Sequence, residues 1–330
     1  MDSGGIRIVA DKPAAPLQPA AAPRTARGSV FDRGFEALCF GAATLLLAAL
    51  GGIILSLAIG GWPAFRTFGP RFFISAEWDP VREVYGASAA VVGTLVTSGL
   101  ALLFALPLAL GVAIFLVELC PQRLRRPIGT AVELLAGIPS IVYGMWGLFV
   151  FAPWFAKYVQ LPLMMKAPPG SIWETLTAGV PNGANILSAS VILAIMVLPF
   201  IAATLRELLL SVPAAVRESA YGLGSTTFEV IRKVSLPYVR TGAVGAVMLG
   251  LGRALGETMA VTFIIGNAHA FPKSLFASGA TIASTIANEF TEATGELHTA
   301  SLIALGLVLF IITFVVLGLA RLLIGRQAHA

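Results

Sequence analysis

Apolar stretches long enough to form membrane-crossing helices recur six times, near 37–60, 87–117, 132–152, 184–205, 241–267 and 299–320. Crossing about 30 Å of hydrocarbon takes ~20 helical residues. Membrane strands would show short alternating segments instead, so the pattern predicts an all-α membrane protein with six transmembrane helices. Apart from Glu133 near the start of the third stretch, only the fifth carries charge in its interior. Pro107 and Gly137-Ile138-Pro139 interrupt their helices. Such breaks are tolerated where neighbouring helices take up the freed backbone groups. Residues 1–36 are rich in Ala and Pro, with Pro13, Pro16, Pro19 and Pro23, and read as a disordered tail. A cleavable signal peptide is not expected, because its apolar core would be shorter and nearer Met1.

Composition strengthens this reading. Of 330 residues, 57% are hydrophobic and 12% charged, with a mean hydropathy of +0.87. Soluble domains carry about 25% charged residues. The net charge of +5 does not mark a nucleic-acid binder, which needs a basic face on a soluble fold. The basic residues instead divide by side. Segments 1–36, 118–131, 206–240 and 321–330 hold fifteen Lys and Arg, whereas 61–86, 153–183 and 268–298 hold six. The positive-inside rule therefore predicts both termini in the cytoplasm. The exported segments 153–183 and 268–298 are longer than turns require, so short surface helices that receive a partner are expected there. Cys39 and Cys120 are expected to be reduced and structural.

Helix–helix connections usually take about 2–8 residues, yet the fourth and fifth stretches are separated by the whole of 206–240. Ser211 and Pro213 read as a cap and a first-turn proline. A short helix through Glu218-Ser219-Ala220 is predicted to end near Gly222 and Gly224. Thr226 and Glu229 form a capping box. Phe228, Ile231 and Val234 then share one face before Pro237, which is predicted to stop the helix. On pattern alone this element either folds back on the bundle or presents its stripe to a partner.

Glu218-Ser219-Ala220, Gly224, Val234, Leu236 and Pro237 resemble the EAA loop of ATP-binding-cassette importer permeases, with Ser219 in place of an alanine and Val234 in place of an isoleucine. In that family the loop is the coupling helix seated in a cytoplasmic ATPase. Two further stretches, Ala136 to Gly144 and Leu251 to Ala260, continuing through Ile264-Ile265-Gly266-Asn267, resemble the signatures of phosphate importer permeases of the PstC-type. The resemblance covers roughly 35–325. It implies a type I importer (MetI-like) permease domain over 37–325, with the coupling loop at 206–240 and a cytoplasmic tail at 326–330. It also implies a place in the bacterial inner membrane. The implied partners are a PstA-type permease, two copies of an ATPase and a periplasmic phosphate-binding protein, and the implied substrate is inorganic phosphate. The chain has no G-x-x-x-x-G-K-[ST] loop of its own, so it is expected to be a transport subunit and not an enzyme. No cofactor or metal is expected. It lacks H-E-x-x-H, and His269, His298 and His329 all lie outside the predicted spans.

Arg253 and Glu257 are the charges deep in an apolar stretch. Spaced i, i+4, they are predicted to share a helical face and to be able to pair. Intramembrane ionisable residues usually face a bundle interior or an aqueous path. A guanidinium can grip two oxygens of an oxyanion at once, which makes Arg253 and Glu257 candidates for the substrate path. A purely structural salt bridge remains the alternative. Gly242, Ala246, Gly250 and Ala254 form a small-residue stripe, and Gly252-x-x-x-Gly256 a second. A permease for another oxyanion, an ion-coupled secondary transporter and a structural membrane anchor are the competing readings. The secondary transporter predicts internal repeats, and none is clear. The anchor does not require charges inside the bilayer.

Overall fold

The computed structural model describes residues 30–327. The proline-rich segment 1–29 and the stretch 328–330, with His329, lie outside the described residues. The chain divides at Ile53 into two compact units. Helix α1 (Val30–Phe68) starts inside the segment read as a tail, since the last proline before it is Pro23. Its part up to Ile53 belongs to the first unit, where Phe40, Leu45, Leu46 and Leu47 are exposed.

The second unit carries the remaining helices: α2 (Arg71–Ile74), α3 (Ser88–Ile114), α4 (Gln122–Ala136), α5 (Ser140–Trp146), α6 (Ala152–Phe155), α7 (Leu161–Lys166), α8 (Ile172–Thr177), α9 (Ile186–Leu210), α10 (Ala214–Gly222), α11 (Thr227–Val230), α12 (Leu236–Leu255), α13 (Met259–Thr262), α14 (Ile282–Glu289) and α15 (Glu296–Gln327). Among the described residues, six helical runs are long and apolar enough to cross a membrane. They are Asp32–Phe68, Ser88–Leu119, Ser140–Lys166, Ile186–Leu210, Thr227–Leu255 and Glu296–Leu322. The sequence-based count of six agrees, while the third and fifth spans shift at both ends.

The third span begins at Ser140, because Gly137-Ile138-Pro139 separates it from α4. It then reaches Lys166 through π-helical turns at Gly147–Phe151 and Ala156–Gln160. The fifth starts earlier than expected. Pro237 does not stop the helix: α11 runs through a π turn at Ile231–Ser235 directly into α12. All three of these π turns are followed at once by a residue and a proline, namely Ala152-Pro153, Leu161-Pro162 and Leu236-Pro237. A proline ring collides with the carbonyl four residues back in a regular helix. The wider turn makes room for the ring and keeps the helix continuous.

Two apolar cores hold the unit together. In the first, Ala101, Ala105, Ala109 and Ala113 line one face of α3, fully buried, in a core that includes Ile192, Met196 and Ile201 of α9. Methyl groups at every fourth position allow the helix backbones to come close. The stripe on α12 packs on the same helix: a Cβ added at Gly242 would lie 2.7 Å from Leu208, and one at Gly250 would lie 2.6 Å from Ile201. Gly252 and Gly256 make no such close contact, so the second predicted stripe is not a packing seam within the chain. The other core gathers Ala64, Phe72, Trp78, Tyr85, Leu302 and Leu305.

Helix α14 is short and buried along its first half. Thr281 and Ser284 cap it reciprocally, and the Ile282 amide donates to Thr94 Oγ1 of α3 at 2.9 Å. Gly93 is required beside it, since any Cβ there would collide with the Ala280 carbonyl. In the segment 153–183, α7 and α8 are short helices with Met165, Ile172 and Trp173 exposed.

Candidate functional site

The connection between α9 and α12 folds as a compact two-helix element. Ser211 caps the end of α9, its hydroxyl donating to the Leu208 carbonyl at 2.7 Å. It does not cap the next helix, which starts after Pro213 with no side-chain cap. Gly224 follows α10 at φ +87°, and a Cβ there would meet nothing within 4 Å. Its glycine requirement is thus one of backbone conformation. The Thr226–Glu229 capping box is present, and Lys233 Nζ adds a contact of 3.0 Å to Glu229.

Within this element Glu218, Ser219 and Gly224 are exposed, Ala220 and Val234 are half-buried, and Pro237 is exposed. Leu236 packs against the first core. Of the predicted stripe, Ile231 and Val234 are half-buried while Phe228 stays largely exposed. Val230 is fully buried, and Arg217 also reaches inward. Its Nη1 lies 3.3 Å from Glu118 Oε1 at the end of α3, and its Nη2 donates to the Val212 carbonyl at 3.3 Å.

The pairing expected of Arg253 and Glu257 does not occur. Helix α12 ends at Leu255, with Gly256 as its C-cap, so the two residues no longer share a helical face. Glu257 turns the other way and its Oε1 accepts the Ala260 amide at 3.2 Å, at the start of α13. Among the described residues no carboxylate is within ion-pair distance of Arg253. Its guanidinium lies over the Phe200 ring, 5.5 Å from the centroid, and its side chain is exposed in the isolated chain.

The two signature stretches meet beside this arginine. A Cβ at Gly144 would come within 3.0 Å of Ala260 and 2.9 Å of Phe263, so only glycine lets α5 pack against α13. The stretch Ile264 to Asn267 is not helical. Ile264 and Ile265 are buried, and Gly266 and Asn267 turn the chain at φ +90° and +49°. Asn267 tolerates this conformation better than most side chains.

Sequence reasoning missed a second polar centre, assembled from segments far apart in the chain. Glu289, at the end of α14, sits 2.8 Å from Nε2 of His269 and 2.8 Å from Nε2 of His298, and accepts from Trp78 Nε1 at 2.8 Å. His298 lies in the first turn of α15, within the sixth span and not outside it. Tyr85 stacks on His298 and meets Trp78 edge-on. Burial opposes ionisation of Glu289, yet the hydrogen bonds from His269, Trp78 and His298 outweigh it and hold its pKa near 2. Burial pushes the Tyr85 phenol up, with help from the charges of Glu83, Glu289 and Asp79. No local spacing links these residues, so no motif announces them.

A family model described as binding-protein-dependent transport system inner membrane component matches residues 105–329. The phosphate transport system permease protein PstC of Mesorhizobium japonicum is 55% identical over 303 residues, covering 91% of this chain and 92% of that protein. The PstC protein of Pasteurella multocida is 56% identical, covering 86% of this chain and 87% of its own length. The PstC 1 protein of Mycobacterium tuberculosis is 38% identical over 87% of this chain and 91% of its own. Among solved structures, a bacterial alginate ABC transporter in complex with an alginate pentasaccharide-bound periplasmic protein aligns at a TM-score of 0.57. It covers 88% of this chain and 93% of that one at 18% identity, a likeness of fold alone. With the matched model and these relatives spanning most of its length, the chain belongs to the binding-protein-dependent inner membrane transport components, and among them to the PstC-type permeases.

Proposed function

We infer that this chain is the permease subunit of an ATP-driven importer that carries inorganic phosphate across the bacterial inner membrane, with hydrolysis left to another polypeptide. The names of relatives that align over nearly their full length support the substrate. The distribution of Lys and Arg supports both termini in the cytoplasm. That orientation puts the α10–α11 element on the ATPase side and the Glu289 centre on the exported side. In this reading 1–36 is a cytoplasmic tail, 37–325 the permease domain and 326–330 a short cytoplasmic end. A second, PstA-type permease, two ATPase copies and a periplasmic phosphate-binding protein complete the assembly. Glu218, Ser219, Ala220, Gly224, Val234, Leu236 and Pro237 form the ATPase-coupling surface.

The observation that carries the transport role is that Arg253 has no carboxylate within ion-pair distance among the described residues. A guanidinium at the end of an apolar helix, exposed and, among the described residues, without a carboxylate partner, is costly against lipid and suits an aqueous path that admits an anion. Glu257 acts through α13, whose start it caps. Arg253→Gln is expected to lower phosphate uptake by about tenfold or more, the weight of one charge-assisted contact. Glu257→Gln is expected to tune uptake more mildly. The double variant should transport no better than Arg253→Gln alone. The measurement is uptake in cells lacking other phosphate importers, with membrane levels checked by immunoblot. Near-normal uptake by Arg253→Gln would remove Arg253 from the path.

A further inference from the structure

Glu118 occupies an unfavourable place. It lies in the π turn Phe115–Leu119 at the C-terminal end of α3, with its side chain only 8% exposed. A helix C-terminus carries partial negative charge, and burial adds the cost of desolvating a carboxylate. Among the described residues, the basic group within ion-pair distance of it is Arg217, at 3.3 Å and itself 21% exposed. Arg217 belongs to α10, which has no buried side chain. Among the described residues, the side-chain hydrogen bonds that leave α10 run through this guanidinium, to Glu118 and to the Val212 carbonyl.

The route continues beyond Glu118. Helix α3 is packed along its length by the buried alanines at 101, 105, 109 and 113. At its opposite end it accepts the Ile282 amide through Thr94 and presses Gly93 against Ala280. A displacement of α10 therefore has one charged handle on the bundle, and that handle is attached to a helix gripped at its far end by α14. A buried ion pair is a poor choice for stability alone, since apolar side chains of similar volume would hold as well or better. Its advantage lies in register, because the pair is satisfied in one geometry and exposes two charges in any other.

We propose that the Glu118–Arg217 pair passes the position of α10 to α3, so that both are positioning residues for coupling ATP hydrolysis to transport. The proposal rests on reading the α10–α11 element as the ATPase-docking surface.

The test uses the complete importer in proteoliposomes, with binding protein and phosphate supplied, and reads phosphate imported per ATP hydrolysed. Glu118→Gln and Arg217→Gln are each expected to keep the ATPase bound and hydrolysing while that ratio falls about fivefold, the lower range of measured coupling between sites. The exchange Glu118→Arg with Arg217→Glu is expected to restore the ratio toward the unmodified protein. A merely structural pair would change the amount of assembled complex and leave the ratio alone. An unchanged ratio in the single variants overturns the proposal, as does an exchange variant no better coupled than they are. If the single variants fail to reach the membrane, the exchange variant decides by the same ratio. Docking is read separately by cross-linking a Leu223→Cys permease to the ATPase, since Leu223 is 89% exposed beside α10. A cross-link with an unchanged ratio sinks this proposal alone. No cross-link sinks the docking reading and the proposal with it.

Discussion

Around α10, Glu218 is exposed and Leu223 stands almost wholly free, while among the described residues the side-chain hydrogen bonds leaving the helix run through the Arg217 guanidinium. Where α14 ends, the opposite holds. Glu289 is enclosed by His269, His298 and Trp78, each contact is 2.8 Å, and Tyr85 closes the ring stack around it. Both places gather polar groups at the end of a short helix. One leaves its bonding capacity unspent and the other has used it internally. An element that must receive a moving partner needs open valences and few internal ties, whereas a clamp between distant segments needs the reverse.

The difference breaks most easily at the clamp. Glu289→Ala strips three donors of their acceptor, and the loss should be about 3 kcal/mol, given the cost of leaving buried polar groups unsatisfied. Glu218→Ala, at an exposed position, should stay within about 0.5 kcal/mol. Thermal unfolding of the purified permease in detergent compares the two directly. Equal destabilisation would erase the contrast between the ends.

Gly224→Val sharpens the other side. Forcing a β-branched side chain to φ +87° costs about 1–2 kcal/mol, spent locally in the turn between α10 and α11. The expected result is an inserted permease that no longer retains the ATPase on purification. Full retention would show that the turn geometry is not part of the docking surface.

The clamp also has a definite pH signature. Glu289 titrates near 2 when folded, against an ordinary 4.5. A depressed carboxylate contributes stability that is fully present above the unfolded pKa and lost as pH falls toward the folded one. The unfolding midpoint of the native protein should therefore exceed that of Glu289→Gln at pH 6. The gap should narrow between about pH 4.5 and 2. A gap constant down to pH 2 would mean the carboxylate's charge contributes nothing. A local effect is expected from Thr226→Ala, which removes the capping hydroxyl of α11 at about 1 kcal/mol. Faster hydrogen exchange at the amides of 227–230, with the midpoint of the whole protein little changed, is the sign to look for.

Legibility followed the range of the interaction. The capping box at Thr226 and Glu229 needs residues three apart, and the sequence displayed it whole. The apolar stretches were equally plain, since length alone marks a span, and the small-residue stripe on α12 lay against α9 as its spacing implied. Pro237 misled because the rule that proline ends a helix ignores the π turn that can precede it. Arg253 and Glu257 misled for a related reason. Their i, i+4 spacing speaks only if the helix continues, and Gly256 stands between them. The Glu289 centre and the Glu118–Arg217 pair were illegible altogether, because each joins residues whose proximity exists only after the chain has folded.

The four alanines along α3 carry a mechanical consequence. Switching between two packed arrangements ordinarily needs side chains with more than one comfortable torsional well, so that neighbours can exchange places as helices slip. Alanine has no side-chain torsion that moves a heavy atom. At Ala101, Ala105, Ala109 and Ala113 that face of α3 therefore brings no torsional freedom of its own, and any repacking in this core is left to the side chains of α9, Ile192, Met196 and Ile201 among them.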